Sequence, residues 1–449
     1  MIMGGLMKGA TLRRLAVVAT ACGFLAACGD TWLGENSDPP LPGKRISVLM
    51  QAKALEPDAG QNAGEILLPP PEAVADWPQS GGYPPHAMYH LALGDTLHEV
   101  WRSGVGEGGS KRQAFLTPPV VSGGRVYAMD SESMVSAYDL RNGRRLWKRE
   151  TAPEDADHGS FGGGLAVDDG KLFATTSYGQ LLALNPADGK VLWTQSLPAP
   201  VRGAPTARAG RVLVITVENQ TLALSAEDGH QLWSHQGLNE SAALIGGVSP
   251  AVDGNTVIVP YTSGEVFALR IENGAAIWND VLSTLKRTDQ VATLNDIRGL
   301  PVIDRGRVYA VSNSDTTAAI DLRTGRRAWD REIGSTQTPW VAGDYIFMIT
   351  NSSEIICLDA KRGKIRWVTP LQQWRNQEDK RGRVVWTGPV LASDRLIVAS
   401  SEGDAMAVSP YTGEVLGHIE LPDGILIAPI VADNTLLFMT NEGDLVAYR

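Results

Sequence analysis

Short apolar runs recur along this chain, each followed by a polar turn centred on Gly and then by a strand whose apolar and polar positions alternate up to a Trp. Ala137-Tyr138-Asp139 leads through Gly143 to Trp147, Ala183-Leu184-Asn185 through Gly189 to Trp193, Ala223-Leu224 through Gly229 to Trp233, and Ala268-Leu269 through Gly274 to Trp278. The series continues from Ala319-Ile320-Asp321 through Gly325 to Trp329 and from Cys357-Leu358-Asp359 through Gly363 to Trp367. It ends with Ala407-Val408-Ser409 and Gly413, where Gly417 stands in place of the aromatic. Successive ends lie about 38 to 51 residues apart, the spacing of one supersecondary unit per repeat.

Each unit has a front half of two further apolar runs, such as Pro119-Val120-Val121 before Arg125-Val126-Tyr127 and Pro301-Val302-Ile303 before Arg307-Val308-Tyr309. Four short strands per period, separated by Gly, Asn and Asp turns, describe an antiparallel blade whose faces cannot be buried alone, so neighbouring blades must stack into a ring. The last unit runs through Gly443-Asp444-Leu445-Val446-Ala447-Tyr448 to Arg449 without a Gly-to-Trp strand, while an unpartnered Leu97-His98-Glu99-Val100-Trp101 precedes the first complete unit. The pattern therefore predicts an all-β fold, an eight-bladed β-propeller over residues 91–449, in which the N-terminal strand completes the C-terminal blade and removes an open edge. A Trp at each blade end covers the Gly turn of its neighbour and directs its indole N–H to a carbonyl, a scaffold role suited to a large ring with one polar rim.

The N-terminus adds a second kind of signal. Lys8, Arg13 and Arg14 precede an apolar run over 15–27 that is too short to span a bilayer and ends in small residues, as a secretory leader does. Leu25-Ala26-Ala27-Cys28 looks like a lipobox, so residues 1–27 are expected to be a signal peptide and Cys28 the lipidated first residue of the mature chain; an ordinary leader that happens to contain Cys is the other reading. Residues 28–90 are rich in Pro, Gly, Ala and acidic residues and read as a flexible to semi-stiff tether. Within it, Trp77 marks a point where the chain docks on the propeller. Cys22 leaves with the leader and Cys28 carries lipid, which leaves Cys357 alone between Ile356 and Leu358 as a small buried hydrophobe. Loss of Lys8, Arg13 and Arg14 takes the formal charge from −10 to −13, which excludes a nucleic-acid partner on electrostatic grounds. The basic group Arg141, Arg144, Arg145, Lys148 and Arg149 reads as a solvated blade edge.

The Ala-Leu-Asp…Gly…Trp unit resembles the repeat of quinoprotein dehydrogenases, and with the lipobox and eight blades the chain resembles the BamB family of outer-membrane assembly lipoproteins. That resemblance implies a non-catalytic scaffold without cofactor or metal, lipid-anchored to the outer membrane and facing the periplasm, with BamA, other subunits of the assembly machinery and nascent outer-membrane proteins as partners. It also implies a BamA contact through two loops. One is apolar-x-apolar-Arg-Gly before a Pro, matched by Ala199-Pro200-Val201-Arg202-Gly203-Ala204-Pro205; the other carries acids before a Pro-Val strand, matched by Leu294-Asn295-Asp296-Ile297-Arg298-Gly299-Leu300-Pro301-Val302. Val201, Arg202 and Asp296 fit, Ala199 stands where a larger apolar residue is usual, and Arg298 stands where a second acid is usual. Arg298 either reverses a charge partner or pairs with Asp296; Arg202 either meets the partner or satisfies loop carbonyls; Val201 is expected to be exposed as an interface anchor.

The long connections 281–299 and 369–388 exceed ordinary blade loops, and Trp374 and Trp386 in the second either pack across the propeller mouth or form a patch for a partner. The alternative activity is a periplasmic oxidoreductase dependent on the quinone PQQ, which would need calcium, a carboxylate base and, in related families, adjacent cysteines. The chain has no Cys-Cys pair, and its seven His show neither His-Glu-x-x-His spacing nor a neighbouring Gly-x-Ser-x-Gly nucleophile turn.

Overall fold

A computed structural model describes residues 55–60, 65–109, 118–153, 162–201, 203–240, 246–283 and 296–449; the expected leader and Cys28 lie outside them. Among the described residues every element is a strand, and the strands form eight four-stranded antiparallel sheets plus one small hairpin. Blade 1 contains Val120–Ser122, Arg125–Met129, Met134–Asp139 and Arg145–Glu150. Blade 2 runs from Gly163–Asp168 to Val191–Ser196, blade 3 from Thr206–Arg208 to Gln231–Gln236, and blade 4 from Ala251–Asp253 to Ala276–Val281. Blade 5 runs from Val302–Asp304 to Arg327–Arg331, blade 6 from Trp340–Ala342 to Ile365–Pro370, and blade 7 from Trp386–Ala392 to Val415–Glu420. The eighth is composite, with Ile430–Ala432, Thr435–Met439 and Asp444–Tyr448 completed by Glu99–Gly104 from the other end of the chain. Its closing register pairs Arg102 with Val446 and Ser103 with Leu445, and His98 and Arg449 exchange backbone hydrogen bonds at 2.8 and 3.0 Å.

First strands are short and buried, whereas fourth strands alternate exposed and half-buried positions, which places them on the inside and outside of the ring. Blades are joined by the repeat Trp. Each of Trp101, Trp147, Trp193, Trp233, Trp278, Trp329 and Trp367 lies on the fourth strand of one blade and covers the turn Gly of the next, Gly143, Gly189, Gly229, Gly274, Gly325, Gly363 and Gly413. Those glycines have φ between +68° and +80°, where a Cβ would be strained and would also strike the ring. Six of the indoles donate to a carbonyl of the covered turn, from Trp278 to Leu322 at 2.7 Å up to Trp367 to Pro410 at 3.1 Å. Trp193 is the exception: its indole N–H has no partner, and the corresponding carbonyl, Ala226, accepts from Lys171 Nζ at 3.0 Å. Gly417 now has a physical reason. Its neighbour is the composite blade, whose third and fourth strands come from opposite chain ends and are joined by no turn, so there is nothing for an aromatic to cover.

Residues 65–90, which composition reads as part of the tether, are packed on the ring. Residues 74–91 form a strap that bonds the innermost part of all eight blades. Carbonyls of Val74, Trp77, Pro78, Pro84, Pro85 and Leu91 accept from the N–H groups of Asp433, Val121, Val167, Val252, Ile303 and Ser393 at 2.7 to 2.8 Å. The amide side chain of Gln79 pairs with Ala207 through both its atoms, at 2.7 and 3.0 Å, and Trp340 Nε1 donates to Tyr89 O at 2.6 Å. Proline is well suited to a segment that meets unpaired donors, because it offers a carbonyl and has no N–H of its own to satisfy. Trp77 is buried and stacks on Trp340 with centroids 6.3 Å apart, as the expectation of docking required. Farther upstream, Asp58 accepts from Ile365 N at 2.7 Å and pairs with Arg331 at 3.1 Å. Cys357 is fully buried in the core and desolvation pushes its thiol pKa well up. In the 369–388 connection, Trp386 is buried with its indole on Gln372 O at 2.8 Å, and Trp374 lies under the Arg383 guanidinium, so packing accounts for both.

Two outcomes follow from these contacts. Trp233→Ala removes a buried ring and an indole bond and should cost about 3 kcal/mol, whereas Gly417→Trp should change stability by less than about 1 kcal/mol; denaturant unfolding of both variants checks the pair. His86 of the strap is buried with Nδ1 2.8 Å from Pro301 O, and desolvation lowers its pKa from 6.5 to about 4. An undocked His86 takes up a proton below pH 6.5 while the docked one refuses it until about pH 4, so docking weakens as pH falls through that window and is unaffected above it. The whole loss amounts to about 3 kcal/mol. Limited proteolysis within residues 74–91 should accelerate between pH 7 and pH 4.5, and His86→Gln should flatten that dependence.

Candidate partner-binding face

Connections from the fourth strand of one blade to the first of the next emerge on the same face as the turns between second and third strands. Three successive connections, described over 197–201, 203–205, 237–240, 246–250, 282–283 and 296–301, bring Ala199, Val201, Asp296 and Arg298 to one side of that face. The two predicted loops are not at neighbouring joints. They flank the joint of blades 3 and 4, and the 237–250 connection lies between them. Gly203 has no room for a side chain because the Val248 backbone abuts it, and the Arg298 side chain lies over Gly246 in the same way. Thr175 Oγ1 holds Gly203 O at 2.9 Å and Ser249 Oγ holds Ala204 O at 2.8 Å, so the contact is tied to the blade cores.

Val201 is not an exposed anchor. It is 1% exposed, bridged to Thr216, and packed with Ala207, Val212 and Val214. Ala199 is likewise buried. The bridge holds the loop against blade 3. Arg202 lies outside the described residues. Asp296 is 3% exposed and its carbonyl accepts from Asn313 N at 2.9 Å. Arg298 is half-buried; desolvation lowers its pKa and the negative charge of Asp296 opposes that shift. Of the two readings for Arg298, its interaction with Asp296 is the one this geometry favours.

Behind the three connections stands a polar and aromatic buttress. Tyr261 is buried, its hydroxyl 2.8 Å from Thr221 Oγ1 and 2.9 Å from His235 Nδ1, and burial pushes the phenol pKa well up. Burial also lowers the pKa of His235, whose ring stacks on Tyr261 and tilts against Phe267. Turns are linked to connections in series: Val217 N donates to Pro200 O at 2.9 Å, and Leu282 N to Gly264 O at 2.8 Å. The sequence reading missed the 237–250 connection. Its available signal was Gly246-Gly247 before Val248-Ser249-Pro250, two residues without side chains where other loops must approach.

Nothing in this arrangement resembles an activated nucleophile, and among the described residues no three His, Cys, Asp or Glu come together in a way that would hold a metal ion. A cleft of about 430 Å³ exists elsewhere, between the strap and the first-to-second-strand turns of blades 1 and 2, lined by Gln79, Tyr83, Arg125 and Asp168. The described parts of the three connections rest on buried supports.

The repeats match the family model described as outer membrane protein assembly factor BamB over residues 94–161 and 131–369, and a glucose/ethanol/alcohol dehydrogenase β-propeller domain over 328–418. The chain is 30% identical over 371 residues to outer membrane protein assembly factor BamB of Xanthomonas campestris pv. campestris, covering 79% of this chain and 86% of that one. The crystal structure of BamB from Moraxella catarrhalis is similar with a TM-score of 0.64 at 19% identity, over 78% of this chain and 99% of that one. A europium-containing methanol dehydrogenase gives a TM-score of 0.67 at 17% identity, over 81% and 89%. At such identities both structures speak for the propeller alone. Because the first model spans more than half of the sequence and the Xanthomonas relative most of both lengths, the chain belongs to the BamB family.

Proposed function

We propose that this protein is a non-catalytic scaffold subunit of the machinery that assembles β-barrel proteins in the outer membrane, holding BamA through the face built by the three connections. The observation that carries this reading is the BamB-type repeat over residues 94–369. Arg202 is assigned to partner contact, the buried Asp296 and Arg298 beside it to fixing the second loop, and Ala199 and Val201 to fixing the first loop from beneath. Nascent outer-membrane proteins are the further partners, brought close by a protein tethered at the membrane. Cys28 supplies the tether: each buried methylene of an attached acyl chain contributes about 0.8 kcal/mol. The chain between Cys28 and Leu55 limits the reach to about 90 Å at full extension.

The residues present do not fit a quinone cofactor. The donor set for its metal is lacking among the described residues, and the inner N–H groups at one end of the axis are bonded to the strap. A flat ring entering from that end would have to displace eight blades' worth of contacts. The dehydrogenase likeness supports common architecture and no common chemistry.

Tagged wild-type protein should capture BamA from detergent-solubilised outer membranes, and Arg202→Glu should reduce the yield several-fold with an unchanged unfolding midpoint; an undiminished yield would remove Arg202 from the interface. Cys28→Ala should move the protein from the membrane to the soluble fraction on cell fractionation, and a retained membrane fraction would refute lipid anchoring at that residue.

A further inference from the structure

At most blade ends the residue just past the fourth strand turns inward. Val105, Thr151, Leu282, Leu371 and Leu421 are buried there, and Leu197 packs against the core. Each donates its N–H to a carbonyl in the second-to-third-strand turn of its own blade, as Leu282 does to Gly264 and Leu421 to Gly403. Blade 3 keeps the bond, from Gly237 N to Asn219 O at 2.9 Å, and loses the side chain. The Tyr261 ring fills the space that a Cβ at Gly237 would need.

The apolar residue appears one position later. Leu238 is 64% exposed, yet its backbone is clamped on both sides. Its N–H donates to Glu265 Oε2 at 2.8 Å, and its carbonyl accepts from Asn219 Nδ2 at 2.6 Å. Both holding side chains are buried, and each is itself held: Ser263 Oγ donates to Glu265 Oε2 at 2.9 Å, and the Thr262 hydroxyl to Asn219 Oδ1 at 3.0 Å. Gln236 stiffens the same corner, with Nε2 on Glu218 O at 2.8 Å and on Asn239 Oδ1 at 3.2 Å. A solvent-exposed leucine gains nothing from such support in the isolated molecule. A residue whose backbone is already held loses less freedom when a partner covers its side chain, which is a condition that makes an interface residue effective.

Position supplies the occupant. The turn that contains Asn219 touches the first connection through Val217 N to Pro200 O, and the neighbouring turn touches the third through Gly264 O, so Leu238 stands midway between the two loops assigned to BamA. Its surroundings, Gln236, Glu218 and Asn239, form a polar rim around one apolar centre, the anatomy of a small protein interface. We propose that Leu238 is the apolar anchor of this face and seats in an apolar pocket of BamA, in the role the sequence pattern had given to Val201. The inference rests on the proposed function and adds to it the residue and the chemistry of its receptor.

The test uses full-length lipidated protein and purified BamA in detergent. Leu238→Asp should weaken binding at least tenfold with an unchanged unfolding midpoint, and Leu238→Met should retain most of it. Leu67→Asp, at an exposed leucine near the Gly343 turn of blade 6, should bind like wild type. Wild-type affinity in Leu238→Asp, or an equal loss in Leu67→Asp, overturns the anchor while leaving the scaffold function standing. A Leu238→Asp effect confined to self-association, seen by sedimentation, overturns it in favour of a second copy as the occupant. Failure of wild type to bind BamA overturns both readings.

Discussion

A ring of blades creates a problem at its own axis. The first strand of each sheet has a neighbour on one side only, and its free N–H groups converge where water is restricted and no further strand can fit. Unpaired backbone donors in such a place are costly, and this chain meets them with its own residues 74–91. One segment reaches all eight blades, so it fixes their relative positions at the centre as the Trp-on-Gly contacts fix them at the rim. Closure of the composite blade then ties the strap and the C-terminus into the same circle. The described parts of the connections between blades 2 and 5 are anchored on blades held by this double restraint.

Most of the fold could be read from the chain because each signal was local and repeated. Gly143 and its six equivalents need positive φ, all but Gly413 are followed at a fixed distance by an aromatic, and seven copies of the turn make the period unmistakable. Closure was legible through a count: one strand too many before the first unit and one too few after the last. The missing Trp at Gly417 was visible but unexplained, because its reason is the absence of a turn in a blade built from both chain ends. The strap was misread as tether over residues 65–90. Pro-rich composition signals the inability to donate backbone hydrogen bonds, and only the ring geometry shows that acceptors are what most of the segment has to supply there.

The recognition face was less legible for a related reason. Val201 has the residue type of an anchor, yet a single bridge to Thr216 turns it into core. Whether a loop side chain points in or out depends on such a bridge and leaves no periodic trace. Gly237 and Leu238 did leave one, a break in the inward-facing position after the fourth strand, but its meaning depends on Tyr261 arriving from the next blade. Asp296, expected at the partner contact, is buried, and Arg298 beside it is half-buried, which no signal in the sequence distinguishes from a charged loop in water.

A scaffold of this kind works by presenting fixed loops from a ring that does not deform, and the strap is the element on which that stiffness depends. Hydrogen–deuterium exchange of the intact protein, followed peptide by peptide at neutral pH, tests this most directly. Residues 74–91 and the inner strands at Val121, Val167, Val252 and Ile303 should be protected together and to the same degree as the middle strands of the blades. Exchange of residues 74–91 at the rate of an open chain, with the blades still protected, would contradict the account.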